Sequence, residues 1–171
     1  MQLNFIDNQA IASASGRTLA VIDPSDGQPY DEIQRSTARD IDDAVQAARR
    51  CYEGPWRALS AAERGRLLMD LSRKVAEHAD ELAAIEQRDC GKPTKQAQAD
   101  AAALARYFEF YAGACDKLHG ETLPYQNGYS VLTWREPHGV TGHVIPWNYP
   151  MQIFGRSVGG ALAAGNCCVV K

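Results

Sequence analysis

The chain has 171 residues, enough for one domain or for one domain and part of a second. Its composition, 45% hydrophobic and 23% charged, fits an ordinary globular protein and argues against a disordered one. A net charge of −3 gives no basic face for nucleic acid, no apolar run reaches membrane-spanning length, and Met1–Asp7 lacks a secretory pattern, so a cytoplasmic location is the default expectation.

The first segment, to about Arg35, is short and turn-rich. Leu19–Ile22 reads as a strand that ends at Asp23-Pro-Ser-Asp-Gly27, where Pro and Gly favour a tight turn, and Tyr30–Gln34 reads as the returning strand. A helix is predicted from about Asp40, with Ile41, Ala44, Val45, Ala48 and Tyr52 on one face and Gly54-Pro55 as its stop. The short basic spots Arg49-Arg50 and Arg64-Gly-Arg66 read as solvated helix faces.

A second helix is predicted from Ser60, because Ser60-Ala-Ala-Glu63 has the form of a capping box, with Leu67, Leu68, Leu71 and Val75 as its apolar stripe. A third covers about Asp80 to Asp89, with Leu82, Ile85 and Glu86 inside it, and stops at Gly91-Lys-Pro93. The fourth covers about Thr94 to Leu118; it is rich in alanine, and its aromatic cluster Tyr107-Phe-Glu-Phe-Tyr111 is read as core packing rather than ligand stacking.

From Gly120 the pattern turns to strands. Tyr129–Glu136 is β-rich, Val140–Ile145 reads as a buried strand, Pro150–Ala164 as a helix and Cys167–Val170 as another strand. The last three form a βαβ unit, whose strands should be parallel. The five cysteines, Cys51, Cys90, Cys115, Cys167 and Cys168, are odd in number and match neither CxxC nor a metal pattern, so reduced thiols and no metal are expected. Cys167 and Cys168 are read as buried strand residues rather than nucleophiles.

The stretch with chemical content is Gly139–Met151, where a strand leads into Pro146-Trp-Asn-Tyr-Pro150. Proline at the first helical position is well tolerated, which sets Asn148 at or just before the helix cap. In open α/β sheets ligands bind beyond the C-terminal strand ends, where such a turn lies. A side-chain amide beside free helix N–H groups is a good donor to a developing negative charge. The alternative is that Asn148 only caps the helix, a role asparagine favours. The glycine fingerprint of dinucleotide-binding turns is absent here.

Ile145-Pro-Trp-Asn-Tyr-Pro150 resembles the PWN[FY]P segment of the aldehyde dehydrogenase superfamily, and Ala161-Leu-Ala-Ala-Gly-Asn166 with Val169-Val-Lys171 resembles its ALAxGNxxVxK. Weaker likenesses are Asp23–Gly27, Asp42-Asp-Ala-Val45, Trp56-Arg57 and Asp89-Cys-Gly-Lys-Pro93, so the resemblance covers the whole chain. It implies an α/β fold in which N-terminal helices and oligomerisation strands lead into the first βαβ unit of an incomplete Rossmann-like cofactor domain. The implied divisions are 1–119 for the helical part, 120–137 for the oligomerisation strands and 138–171 for the start of the NAD(P)-binding domain.

The resemblance further implies an NAD(P)-dependent oxidoreductase that converts an aldehyde to a carboxylic acid. NAD and NADP are not separated by these residues. Asn148 is implied to be the oxyanion donor, Ile145, Pro146 and Trp147 cofactor contacts, and Lys171 a hydrogen-bond donor to the adenosine ribose. The expected partners are a small-molecule aldehyde and further copies of the chain, as a dimer or tetramer, with no nucleic acid and no membrane. The family's cysteine nucleophile and glutamate base are expected beyond residue 171, and truncation is the expectation for the chain's end. The rival reading is a non-catalytic assembly or nucleotide-contact module.

Three positions depart from the family pattern. Arg156 stands where relatives aim a residue at the substrate tunnel, which implies carboxylate-bearing aldehydes or, alternatively, an ion pair or exposure at a subunit surface. Ser157 replaces a common lysine, which puts that lysine's proton-relay role in doubt, and Gly160 replaces a frequent proline.

Overall fold

The structure is a computed structural model and describes residues 1–171. Two hairpins come first. β1 (Asn4–Ile6) and β2 (Gln9–Ile11) pair antiparallel about Asp7-Asn8, both in the left-handed region that two-residue hairpin turns need. β3 (Thr18–Ile22) and β4 (Pro29–Gln34) pair antiparallel across the expected Asp23–Gly27 turn. Asp and Asn tolerate positive φ better than most residues. That pair was the available signal for the first hairpin, which sequence reading missed.

Helix α1 (Ala38–Cys51) starts at Thr37, whose hydroxyl accepts from the Asp40 amide while Asp40 accepts from the Thr37 amide at 2.6 Å. Gly54-Pro55 does not stop the helical path; it widens it into one π-type turn, Tyr52–Trp56, kinked at Gly54. α2 (Ala61–Glu77) starts at the predicted Ser60 box, and α3 (Ala79–Cys90) ends at Gly91, left-handed at φ 69°. α4 (Thr94–Ala114) stops four residues before the expected Leu118. There the Cys115 thiol donates back to the Tyr111 carbonyl, occupying one of the last-turn acceptors.

α2, α4 and α5 (Pro150–Ala163) form the packed centre, with Leu68, Leu104, Phe108, Met151 and Ala163 buried. Small residues let the helices approach closely. A Cβ on Gly65 would lie 2.8 Å from the Ala112 carbonyl oxygen, and one on Gly159 would lie 2.7 Å from the Tyr111 ring. The buried face of α2 is therefore Gly65, Leu68, Ser72 and Val75, so Leu68 and Val75 of the predicted stripe are buried whereas Leu67 and Leu71 are exposed. Ile41 and Ile85 also face outward. Of the aromatic cluster, Phe108 is fully buried and meets Phe154 edge-on, as core packing requires, while Phe110 is exposed.

The region 120–137 is less regular than its composition implied. Only β5 (Thr122–Leu123) and β6 (Val131–Leu132) pair, and Tyr125, Tyr129 and Trp134 stand in solvent. With no layer packed on it, alternation alone cannot extend the ladder. β7 (Val140–His143) and β8 (Cys167–Val170) then flank α5 and pair parallel, giving the predicted βαβ unit. β7 ends two residues before the expected Ile145, because Val144 turns outward, although the Ile145 amide still donates to the Lys171 carbonyl at 2.7 Å. Cys167 is buried and Cys168 half-buried; burial, then the neighbouring Cys51 thiol, push Cys167 up to about 12. No helix is long and apolar enough to cross a membrane.

Candidate active site

The turn between β7 and α5 sits at the C-terminal end of the parallel pair. Asn166 holds the opposite end, accepting from the Gly139 amide at 3.0 Å and donating to the Ala161 carbonyl at 3.1 Å. At the turn end, the Ile145–Lys171 bond and the Lys171 amide's bond to the His143 carbonyl bring Ile145 and Lys171 side by side. Lys171 is exposed. Trp147 projects into solvent at 81% exposure, so its ring is a bare apolar surface.

Pro150 opens α5 as expected, but the capping position is Tyr149, and no side chain caps the helix. The alternative role of Asn148 as a helix cap is thereby corrected. Asn148 lies one residue upstream of the cap, makes no capping bond and is exposed. Asn148 instead lines an open hollow of about 550 Å³ together with Gln96, Pro146, Gln152 and Arg156. Three predicted positions, Pro146, Asn148 and Arg156, thus share one concavity, whereas Ile145, Trp147 and Lys171 lie outside its lining.

The Arg156 guanidinium donates to the Tyr107 hydroxyl and to the Gln152 side-chain oxygen, each at 2.8 Å, and lies over the Tyr107 ring. Both hydrogen-bond partners are neutral, so its charge is not matched by an acid there. Ser157 turns the other way and meets His143 Nδ1 at 2.6 Å, tying α5 to β7; burial lowers the His143 pKa.

Beneath the turn lies a charged cluster that sequence reading missed. Lys92 contacts Glu86 at 3.1 Å and Asp100 at 2.5 Å, with all three side chains almost wholly buried. Asp100 also accepts from Gln96 at 2.8 Å and from Gln152 at 2.7 Å. Burial opposes the ionised forms of Lys92 and Asp100, yet their hydrogen bonds outweigh it: the Lys92 pKa is raised and the Asp100 pKa lowered, so both remain charged. Glu86 accepts from the Met151 amide at 3.3 Å, placing a carboxylate at the positive end of α5. The Lys92 ammonium lies 4.4 Å from the centre of the Tyr149 ring. The Cys90 thiol, kept protonated first by burial and then by nearby carboxylates, donates to the Trp147 carbonyl at 3.0 Å. The available signal was Gly91-Lys-Pro93, a lysine between a glycine free to adopt the left-handed helix end and a proline that fixes φ.

A model of the aldehyde dehydrogenase family matches residues 11–171. The chain belongs to the aldehyde dehydrogenase family. It is 45% identical to the mitochondrial aldehyde dehydrogenase family 2 member B4 of Arabidopsis thaliana, covering 98% of this chain and 31% of that protein. A Burkholderia cenocepacia crystal structure, provisionally described as an aldehyde dehydrogenase, superposes with a TM-score of 0.96 at 70% identity, over 98% of this chain and 35% of that one. The structure of PnpE in complex with nicotinamide adenine dinucleotide matches with a TM-score of 0.94 at 36% identity, over 99% of this chain and 35% of that one. The chain therefore spans about a third of the length of the aldehyde dehydrogenases it matches.

Proposed function

We propose that this chain is the N-terminal part of an NAD(P)-dependent aldehyde dehydrogenase, that it supplies the oxyanion donor and part of the cofactor site, and that residues 1–119, 120–137 and 138–171 are its helical, oligomerisation and cofactor-domain portions. The observation that carries this reading is the exposed side-chain amide of Asn148, without a hydrogen-bond partner of its own, on the wall of a hollow just before α5. When a thiolate adds to an aldehyde, the carbonyl oxygen becomes negative. An uncommitted amide can donate to that oxygen without first giving up another bond.

The donor set at the strand ends suits a dinucleotide. Lys171 offers an exposed ammonium for ribose hydroxyls, and Ile145, Pro146 and Trp147 offer backbone and ring surface. The nicotinamide, when bound, supplies the hydride acceptor. The nucleophile and base belong to segments outside these residues; of the five thiols here, Cys90, Cys115, Cys167 and Cys168 have raised pKa values, the reverse of activation. The chain alone is therefore inactive, and purified chain forming NAD(P)H from aldehyde contradicts the assignment. A cytoplasmic homo-oligomer is part of the same proposal.

In the full-length enzyme, Asn148→Ala should slow hydride formation by about 10²-fold or more with cofactor affinity little changed. Turnover near the wild-type rate removes Asn148 from the chemistry. Arg156 favours aldehydes that carry a carboxylate, because it lines the same hollow as Asn148 and its own partners are neutral. Arg156→Leu should selectively lower kcat/KM for a semialdehyde; equal losses on a neutral aldehyde of the same length reject this specificity.

A further inference from the structure

We infer that Lys92 is a positioning residue for Asn148, acting through a buried clamp on the turn; this rests on the oxyanion role proposed above. Asn148 has no side-chain tether of its own, yet its neighbours on both sides are fastened to one loop and its flanking helices. Trp147 is held through its carbonyl by Cys90, Met151 through its amide by Glu86, and Gln152 through its side chain by Asp100. Tyr149 rests its ring against Lys92. Lys92 is the common member, since its ammonium reaches both carboxylates as well as that ring.

The charge count makes Lys92 the member that holds the cluster together. Two carboxylates face one ammonium, with almost no solvent to separate them. Without the ammonium, like charges repel and one carboxyl must protonate or turn away. Glu86 is the less anchored of the two: Asp100 keeps Gln96 and Gln152, whereas one Glu86 oxygen has no partner at all. Loss of Lys92 therefore frees the Met151 amide and with it the first turn of α5. A donor aimed at a transition state loses its effect when its direction varies, so a fault about one turn away registers in kcat.

The test is a double-mutant cycle in the full-length enzyme, with Lys92→Met and Asn148→Ala made singly and together. Lys92→Met should lower kcat about tenfold with cofactor Kd unchanged, Lys92→Arg should restore part of the loss, and Lys92→Met should add nothing once Asn148 is alanine. Additive losses, or equal losses in kcat and cofactor affinity, overturn the inference. If Lys92→Met does not fold, Lys92→Met with Asp100→Asn keeps the net charge of the cluster and takes its place. In every variant that carries Lys92→Met, amide exchange at Met151 should rise at least tenfold with the last turn of α5 unchanged, while Asn148→Ala alone should leave it as in the wild type; uniform protection overturns the clamp. Should Asn148→Ala leave kcat intact, the oxyanion assignment fails instead, and the exchange arm still decides whether Lys92 holds the turn.

Discussion

The turn before α5 has an inner and an outer side, and they are built on opposite principles. Inside, Glu86, Lys92, Asp100 and Gln152 are bonded to one another and to the backbone, with the Glu86, Lys92 and Asp100 side chains almost wholly buried. Outside, Trp147 and Asn148 stand in solvent, and Arg156 holds only neutral partners. Polar groups of the inner side are spent on holding the fold. On the outer side the Asn148 amide is left uncommitted, as its proposed role requires. Substitutions inside should therefore change stability and reach the chemistry only through the turn they hold, whereas substitutions outside should change chemistry alone.

The largest stability effect should come from the packed layer behind the turn. Phe108→Ala should destabilise the chain by about 3–5 kcal/mol, since a fully buried ring leaves a cavity between α4 and α5. Chemical denaturation measures it, and a loss below about 1 kcal/mol would mean that this layer collapses freely.

A smaller effect belongs to the cap of α1, which sharpens the contrast with the uncapped α5. Thr37→Ala should cost about 1 kcal/mol. The Thr37 side-chain and backbone bonds, then the Ser13 hydroxyl, hold the Asp40 pKa down at about 2, from 3.8. Because that pKa is depressed, the stabilisation is fully present above about 4 and is lost as pH falls through 3.8 toward 2. Asp40→Asn should flatten the acid limb of a stability–pH curve over that window, and an unchanged limb would detach Asp40 from it.

The smallest effects should be those of the outer side. Asn148→Ala and Trp147→Ala should each shift stability by no more than about 0.5 kcal/mol, because neither side chain packs or caps. A clear drop in melting temperature for Asn148→Ala would break the comparison, since it would return the residue to a structural role.

Sequence pattern carried the fold where a local rule decides it. Ser60-Ala-Ala-Glu63 caps α2, Gly91 ends α3, Pro150 opens α5, and the two strands around α5 are parallel. It failed where partners are distant. Glu86, Lys92, Asp100 and Gln152 come from separate segments, and charged residues read one at a time look solvent-facing. Leu67 and Leu71 looked like part of a core stripe with Leu68 and Val75, but α2 meets α4 on the face of Gly65, Leu68, Ser72 and Val75 and leaves both exposed. For the candidate site, the motif marked Asn148 and Arg156, while their meeting in one hollow depends on α5 starting at Pro150. The buried support beneath them left no trace beyond Gly91-Lys-Pro93.

The parallel pair β7–β8 bears on how this chain behaves in the test tube. It is a two-stranded sheet, and parallel ladders are normally found covered and flanked. Each strand has one edge with unsatisfied backbone donors and acceptors, beside exposed Val144 and Val170. Such edges are templates for pairing with another chain. At high concentration, self-association should therefore begin at these strands rather than at the hairpins, and a charged residue placed on the β8 edge should keep the protein monodisperse for longer.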